Sequence, residues 1–329
     1  MNNQAKIFLD PSFFNQSENP LYHSKKLTVS LFRYKSGVEA VRVNIGRGEF
    51  VWLPYLGQQV WDWKVDGRSQ KFSGFMNEPA YGKTFVENYG AFMIHCGFTG
   101  MGNPKADDTH LHHGELPVSR FNQAWLEFCD DELFPIALCG VFNYKVPFKG
   151  EYRFAPKVYL GHDGLSAKVA VDAENVSHTP LEYMYLAHIN FDFAGSKTIN
   201  YGDYQFDAEH VRIIGGGPYA QEPDQLLSLS DEDVFDPEVV AVLSHKTDYE
   251  FISTLRKEDG SSRWVSQQTK GLDHTVMWMT HNADRGANGF ALPATAGPEG
   301  KNIERALKKV KTLKAKGSVR FEYAFGYNE

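Results

Sequence analysis

The sequence predicts an all-β protein, built as one large, mostly antiparallel β-sandwich with little helix. Apolar and polar residues alternate within residues 27 to 65, 152 to 171 and 319 to 325, a period typical of strands with one buried face. Turn pairs such as Asp66-Gly67 and Asp259-Gly260 separate the alternating segments, as in antiparallel meanders. No repeat of fixed period and no Pro- or Ser-rich linker divides the chain, which predicts a single domain over residues 1 to 329.

Length and composition fit a globular protein. With 329 residues, 42% of them hydrophobic, the chain can bury a substantial core. The sequence contains no apolar run of about 18 residues, and its first residues lack a basic segment followed by an apolar one. We therefore expect a cytoplasmic protein without a membrane partner. The odd number and wide spacing of Cys96, Cys129 and Cys139 favour reduced thiols over a disulfide framework.

The charge of the chain argues against nucleic acid as a partner. The formal net charge is −7, and residues 213 to 245 contain seven acidic residues without lysine or arginine. Nucleic-acid binding needs a basic face that displaces counterions from the phosphates. A neutral or weakly charged small molecule is the better expectation, and the acidic stretch up to about Glu238 is predicted to be a solvated insertion or edge loop. The triple glycine at 215 to 217 is expected to form a turn, since the helix and lysine of a phosphate loop do not follow it.

The strands of the first half of the chain are the most regular. Three tryptophans lie in or beside the strands of residues 27 to 65, where core or inter-sheet packing is the expected role; they are Trp52, Trp61 and Trp63. Residues 157 to 171 form the clearest hairpin, with its turn at 161 to 164, so His162 is expected to be a turn residue.

The second half contains a strand with a histidine at its centre. Residues 181 to 193, LEYMYLAHINFDF, predict a buried strand around His188. A lone imidazole in an apolar strand is usually a hydrogen-bonded core residue. Residues 303 to 313 show the best helical pattern of the chain, although 310 to 313 fit the start of a strand equally well. Residues 319 to 325 predict a closing strand.

Residues 95 to 117, HCGFTGMGNPKADDTHLHHGELP, hold four of the twelve histidines among glycine, aspartate and proline. This composition predicts a shaped loop at which the ligand binds. Three interpretations of the loop histidines are compatible with this composition. His110 and His112 on one strand face, completed by Glu115, resemble a metal site of cupin-type oxygenases and isomerases, although the spacing to Glu115 is short for that arrangement. Alternatively, the loop histidines lie on the surface and bind nothing.

The third possibility is metal-free acid–base chemistry on a sugar, with His113 and His188 facing each other across a cleft. Neutral imidazole titrates near pH 6.5, so such a pair can donate protons to hydroxyls and accept them at cytoplasmic pH without a cofactor.

Two motifs resemble the galactose mutarotase-like superfamily, and within it the aldose 1-epimerase-related proteins. Residues 96 to 104, CGFTGMGNP, followed by His113-Gly114, are similar to the Cys-Gly-Leu-Thr-x-x-Gly run that precedes a His-Gly pair in these proteins. Residues 185 to 191, YLAHINF, resemble the second histidine strand of the family, and the Ala294-Thr295 turn is similar to its C-terminal end. The resemblance covers roughly residues 27 to 327.

The resemblance implies a large twisted antiparallel β-sandwich, the galactose mutarotase-like supersandwich, with a small-molecule sugar in a groove across one sheet. It also implies interconversion of α and β anomers of a monosaccharide or derivative without a cofactor. A carboxylate would take the proton of the anomeric hydroxyl while a histidine protonates the ring oxygen and the ring opens. By motif position, His188 would be the acid that serves the ring oxygen, and His113 would orient the sugar.

Five further residues are candidates for binding the sugar. His112 and Glu115 belong to the histidine-rich loop, and Asn190 belongs to the second motif. Trp278 offers a face on which sugar C–H groups stack, and Arg120 offers a guanidinium for paired hydroxyls. Core packing of Trp278 and a solvated or ion-paired Arg120 are the alternatives.

The chain departs from the family at one important position. The family's catalytic glutamate corresponds to Leu292, and a leucine cannot accept a proton. Either another carboxylate is the base, with Glu115, Asp284 and Glu299 as candidates, or the chemistry differs, or the protein binds sugar without turning it over. A metal-dependent isomerase or oxygenase using His110, His112 and Glu115 is a further alternative.

Overall fold

The computed structural model describes residues 5–215 and 217–329, so Gly216 of the predicted glycine turn lies outside the described residues. Strands account for most of the described secondary structure. In chain order they are β1 Ala5–Phe8, β2 Asn19–His23, β3 Leu27–Arg33, β4 Glu39–Ile45, β5 Gly48–Trp52, β6 Val60–Val65, β7 Arg68–Ser69, β8 Met93–Phe98, β9 Gln123–Phe128, β10 Ile136–Val146, β11 Gly150–Leu160, β12 Ser166–Asn175, β13 Leu181–Ile189, β14 Phe191–Asp192, β15 Ser196–Asn200, β16 Val211–Ile214, β17 Phe235–Ser244, β18 Glu250–Lys257, β19 Ser262–Gln268, β20 His274–Asn282, β21 Arg285–Ala294, β22 Lys311–Leu313 and β23 Ser318–Asn328.

The strands form two large antiparallel sheets, as the sequence predicts. The nine-stranded sheet has the order β1-β9-β10-β11-β12-β23-β19-β18-β15. The fourteen-stranded sheet has the order β16-β17-β20-β21-β13-β8-β6-β5-β4-β3-β2, with β14, β22 and β7 paired beside β21, β13 and β6. Non-consecutive neighbours such as β8 and β13 bring distant segments of the chain side by side. The prediction of an all-β antiparallel sandwich is confirmed.

Helix is sparse among the described residues. The one α-helix, α1, spans Lys301–Ala306, and short 3-10 turns occur at Pro11–Phe13, Val86–Asn88, Leu116–Val118, Gly217–Ala220 and Pro223–Leu227. The sequence left residues 303 to 313 open between helix and strand, and the structure contains both. Lys308 has a φ of +61°, which breaks the helical path between α1 and β22.

Aromatic side chains fill the space between the sheets. The three tryptophans predicted to pack in the core are buried. Trp63 on β6 stacks on Phe50 at 5.8 Å and contacts Phe325 of the opposite sheet with ring centroids 5.4 Å apart. Most buried apolar residues from Leu9 to Phe325 belong to one continuous hydrophobic cluster, and a second, smaller cluster contains Trp125, Ala137, Cys139 and Val141.

Two turns from different sheets meet without room for side chains. The predicted turn at 161 to 164 connects β11 and β12, and it packs on the turn between β4 and β5. A Cβ added to Gly46 would lie 2.3 Å from the carbonyl oxygen of Asp163, so this contact requires glycine. The Trp63 indole N–H donates to the Gly164 carbonyl at 3.0 Å and fixes the same junction.

The predicted acidic loop ends slightly earlier than the sequence indicates. Residues 235 to 244, at the end of the acidic stretch, form β17, which lies between β16 and β20. The sequence predicts that the loop ends near Glu238, whereas the strand already begins at Phe235; residues 236 to 238 are exposed, and the apolar run of residues 239 to 243 is buried in the sheet. Among residues 5–215 and 217–329, no helix is long and apolar enough to cross a membrane.

Alternation along β13 decides which side chains face outward. Tyr185 stacks on Phe321 of the nine-stranded sheet at 4.9 Å and so points into the sandwich. Successive side chains of a strand point to opposite faces, so Leu186 and His188 lie on the outer face of the fourteen-stranded sheet. The candidate site is built on this outer face.

Candidate active site

A cavity of about 130 Å³ lies on the outer face of the fourteen-stranded sheet. Its floor consists of five aliphatic side chains from five strands, Leu186, Ile214, Val240, Val276 and Leu292. Ile214 pairs with Val240 across β16 and β17, and Val276 pairs with Leu292 across β20 and β21. Paired residues of neighbouring strands share a face, which is why these side chains form one surface.

Histidines and a tryptophan form one wall of this cavity. His112, His113, His188 and Trp278 all line it. The ring of His113 lies 4.8 Å from that of His112 and 5.4 Å from that of His188, and the ring of Trp278 lies 5.1 Å from that of His188. The structure thus brings together four of the seven site residues that the sequence predicts.

The backbone of the histidine-rich loop holds His113 in an unusual conformation. Its φ is +55°, a left-handed value that few non-glycine residues adopt. The His113 N–H donates to Gly102 O at 2.9 Å, and His113 O accepts from Gly97 N–H at 2.8 Å. A Cβ on Gly114 would lie 2.3 Å from Gly97 O, so the following residue must be glycine. The CGFTGMG run and the His-Gly pair are therefore parts of one folded turn.

The buried Nδ1 of His113 has no hydrogen-bond partner among the described residues. An imidazole nitrogen that is withdrawn from water without a partner costs free energy, and such groups are uncommon in native structures. The His113 residue lines the cavity, whereas its Nδ1 atom is closed off from solvent in this conformation.

A polar relay supports His188 from behind. The Tyr89 hydroxyl lies 3.2 Å from His188 Nδ1 and donates to Asn190 Oδ1 at 2.8 Å. The Asn190 amide in turn donates to Ala91 O at 2.9 Å. Asn190, predicted to bind the sugar, is fully buried behind Tyr89 and does not line the cavity. Its contacts orient the Tyr89 hydroxyl, which in turn orients His188.

Burial keeps the imidazoles of the wall neutral. It lowers the pKa of His188 to about 3 and the pKa of His113 well below its usual range. The neighbouring His188 and His112 depress the pKa of His113 further, since two adjacent positive charges repel each other. Burial also lowers the pKa of His112, but there the negative charge of Glu238 opposes the effect.

Two carboxylates line the cavity. Glu238 accepts a hydrogen bond from the Trp278 indole N–H at 2.6 Å. Glu299, one of the three predicted candidates for the base, also lines the cavity, but it forms an ion pair with Arg212. Arg212 additionally contacts Glu304 of α1 at 2.8 Å.

Sequence reasoning missed Glu238 because it treated the acidic stretch as solvated. The signal that pointed to it was the apolar run of residues 239 to 243, since the strand it marks extends back to Phe235 and places positions 238 and 240 on the same outward face.

Glu115 has a structural role outside the cavity. Its carboxylate accepts from the Thr99 backbone N–H at 3.0 Å, from the Thr99 hydroxyl at 2.9 Å and from the Tyr152 hydroxyl at 2.6 Å. These bonds tie the loop to β11 and occupy the carboxylate. The position of Glu115 therefore does not match its predicted roles as sugar ligand or base.

Arg120 and Asp284 also lie elsewhere. Arg120 is 3.4 Å from Glu39 and stacks over Tyr81 at 4.8 Å, outside the cavity lining. Asp284 belongs to the turn between β20 and β21. The contacts of Arg120 correspond to the ion-paired alternative for this residue.

The predicted metal ligands are not assembled. His110 Nδ1 bonds Leu111 O at 2.7 Å, and its Nε2 accepts from Lys301 N–H at 3.3 Å, so both nitrogens have protein partners. Within the described ranges, with their gap at 216, no three His, Cys, Asp or Glu side chains are grouped to hold a metal ion. The residues present do not fit the proposed site of His110, His112 and Glu115.

Comparison with known proteins identifies the fold. No protein-family model matches the sequence, and no curated protein matches it either. Solved structures are similar. A Klebsiella pneumoniae protein with the provisional name aldose 1-epimerase superimposes with a TM-score of 0.75 at 15% identity, covering 98% of this chain and 87% of that one. A galactose mutarotase-like protein from Clostridium acetobutylicum gives 0.63 at 13% identity, covering 93% and 100%. Galactose 1-epimerase from Lactobacillus acidophilus gives 0.57 at 11% identity, covering 93% and 99%.

At these identities the likeness establishes the fold alone, a galactose mutarotase-like β-sandwich.

Proposed function

We propose that the protein is a carbohydrate epimerase-like enzyme that interconverts the anomers of a monosaccharide or derivative by acid–base ring opening. The supporting observation is the convergence of His112, His113 and His188 with Glu238 on one cavity of a mutarotase-like fold. Anomer exchange needs one group that gives a proton and one that takes it, both within reach of the same carbon.

In the proposed reaction one imidazole of the histidine wall is protonated to imidazolium at the start, and Glu238 is an ionised carboxylate. Glu238 takes the proton of the anomeric hydroxyl, and the electron pair of that O–H bond forms the carbonyl. The bond from the anomeric carbon to the ring oxygen breaks, and the ring oxygen takes a proton from His188. After rotation of the carbonyl, the hydroxyl formed from the ring oxygen attacks the other carbonyl face and returns its proton to His188. Glu238 gives its proton to the carbonyl oxygen, which becomes the hydroxyl of the inverted anomeric centre.

His112 is the proposed position at which the imidazolium proton enters. It is the least buried of the three imidazoles, and the charge of Glu238 favours its cationic form. Burial lowers the pKa of His188 to about 3, so its imidazolium is a strong acid but is sparsely populated at neutral pH. In the proposed reaction, His188 therefore gains its proton only while the sugar is bound.

Glu238 is a better base than Glu299 because of its contacts. The ion pair with Arg212 neutralises Glu299 and competes for its lone pairs. Glu238 accepts one hydrogen bond from Trp278, and it forms no salt bridge within the part of the chain that the structure describes. Glu238 thus replaces, in this proposal, the glutamate that Leu292 does not provide.

NMR magnetisation exchange between anomers, measured on a panel of aldoses with and without protein, tests the proposal. We expect faster exchange than in buffer for at least one sugar. Exchange at the buffer rate for every sugar in the panel would reject catalysis.

A second candidate is a sugar-binding protein without turnover. Leu292 favours it, because this side chain is 1% exposed and lies on the floor of the cavity. Sugar binding in calorimetry together with exchange at the buffer rate would support this candidate. If the protein neither binds a sugar nor accelerates exchange, both candidate functions are excluded.

A further inference from the structure

The floor of the cavity is aliphatic throughout, although the wall is polar. Leu186, Val276 and Leu292 are each 1% exposed, and Val240 is 6% exposed. The strand backbones below them are paired across β13, β20 and β21, so their polar groups are already engaged. None of the five floor side chains can donate or accept a hydrogen bond.

The polar groups are restricted to the rim. His112, His113, His188 and Glu238 lie on one part of it, and Asn103, Lys105 and Glu299 also line the cavity. A bound sugar can satisfy hydroxyls along its edge at this rim. A hydroxyl directed at the floor has no partner, and a buried polar group without a partner is costly.

Leu292 makes the floor continuous. It pairs with Val276 across β20 and β21, and its side chain also lies close to Gly289. A carboxylate at this position would place a charge in the middle of the aliphatic surface. Leucine in place of the expected glutamate therefore both removes a carboxylate and completes the apolar floor.

The volume of the cavity restricts what can fill it. About 130 Å³ is smaller than the roughly 300 Å³ at the lower end of typical ligand pockets. This size fits a monosaccharide inserted by one edge better than a sugar with large substituents.

From the aliphatic floor and polar rim, we propose that the ligand is a deoxy sugar, in which a methyl or methylene group replaces the hydroxyl that would face the floor. The inference rests on the proposed function and names its substrate class. The methyl or methylene group packs on Val276 and Leu292, while the remaining hydroxyls bond the rim.

The test compares each deoxy sugar with its parent in anomer exchange by NMR, using D-fucose with D-galactose, L-rhamnose with L-mannose, and 2-deoxy-D-glucose with D-glucose. We expect kcat/KM for at least one deoxy sugar to exceed that of its parent by about 10- to 100-fold, the usual range for one methylene or hydroxyl at an apolar surface. Equal or lower values for all three deoxy sugars would overturn the inference while leaving the proposed function intact.

A matched pair of variants connects the preference to the floor. V276T adds a hydroxyl to the floor without changing the size of the side chain, and it should reduce the deoxy preference several-fold. V242T makes the same change in β17 at a buried valine that does not line the cavity, and it should leave the preference unchanged. An unchanged preference in V276T, with the variant folded by circular dichroism, would count against the inference.

If no sugar undergoes faster exchange, the proposed enzyme activity fails and binding decides the ligand class. Saturation-transfer NMR and calorimetry with the same six sugars should then give at least tenfold tighter binding for one deoxy sugar than for its parent. Equal binding within each pair, or no binding at all, would overturn the inference.

Discussion

The cavity with the histidine wall and a second, wider depression differ in how their histidines are bonded. The wide groove, of about 830 Å³, is lined by residues 201 to 205, 209 to 210, 244 to 247 and 249 to 252. His245 lines this groove with both ring nitrogens occupied, because Tyr249 O–H and Thr275 Oγ1 each lie 2.8 Å away. Thr275 donates onward to Gln267, so His245 is fixed as the donor to Thr275.

The smaller cavity leaves one buried ring nitrogen without a protein partner in the part of the chain that the structure describes. His113 Nδ1 lacks a partner among the described residues, and the histidines there lie within about 5 Å of one another, as the ring distances of 4.8 and 5.4 Å show. The comparison teaches that converging groups with unused bonding capacity indicate a site better than volume does. In the wide groove the same residue types support the fold.

The sharpest test of this comparison is to replace one histidine in each region. H188Q should lower kcat/KM for anomer exchange by about 10²–10⁴-fold, because it removes the proposed general acid. H245Q should leave kcat/KM unchanged, since His245 bonds only protein groups. NMR measurement of anomer exchange in the presence of each variant gives the two values of kcat/KM to be compared. Similar losses of kcat/KM in the two variants would contradict the distinction between the two regions.

The carboxylates offer a second matched pair. E238Q should reduce kcat/KM by about 10²-fold, because the amide still accepts the Trp278 N–H but cannot take a proton. E250Q removes an exposed carboxylate of the wide groove and should have no effect. Full activity in E238Q would transfer the role of base to another group, with Glu299 next to be tested by the same substitution.

Acidification should destabilise both regions. Burial lowers the pKa of His188 to about 3 and that of His245 to about 4, against about 6.5 in an unfolded chain. Below pH 6.5 the unfolded chain therefore binds protons that the native protein does not. The free energy of unfolding should fall as pH decreases, by up to about 1.4 kcal/mol per pH unit for each histidine, until the native pKa is reached.

Urea denaturation between pH 7.5 and 4.5 measures this dependence, and H188Q and H245Q should each show a shallower slope than wild type. Identical slopes in all three proteins would show that neither imidazole is held neutral.

The smallest expected difference concerns the tyrosines beside the two histidines. Y89F leaves the buried Asn190 Oδ1 without its donor and should lower the free energy of unfolding by about 1–3 kcal/mol. Y249F should cost about 1 kcal/mol or less, because Tyr249 is 40% exposed and water can replace its hydroxyl. Thermal or urea denaturation checks both, and a larger loss in Y249F would contradict the order.

Much of the fold could be predicted from alternation, because each strand buries one face and the pattern is local. The hairpin turn at 161 to 164 and the packing of Trp63 are of this kind. The segment with Glu238 shows the limit, since the charged residues at the start of β17 concealed where this strand begins. A single-domain organisation stays a prediction.

The site was predictable only where a motif marked it. His113 and His188 stood out through their motifs, although their roles remain proposals. Glu115 and Arg120 could not be placed from sequence, because their partners Tyr152 and Glu39 lie 37 and 81 residues away along the chain. The sequence gives no sign of such long-range hydrogen bonds.

The left-handed backbone of His113 limits how this cavity can change during evolution or engineering. With a φ of +55° and backbone bonds to Gly97 and Gly102, the position accepts glycine, asparagine or aspartate more readily than any β-branched residue. New specificities are therefore more accessible through H113N than through H113V, which would unfold the turn. The shape of the wall can vary at Trp278 or His112, whereas its chemistry at position 113 is restricted to a small set of polar side chains.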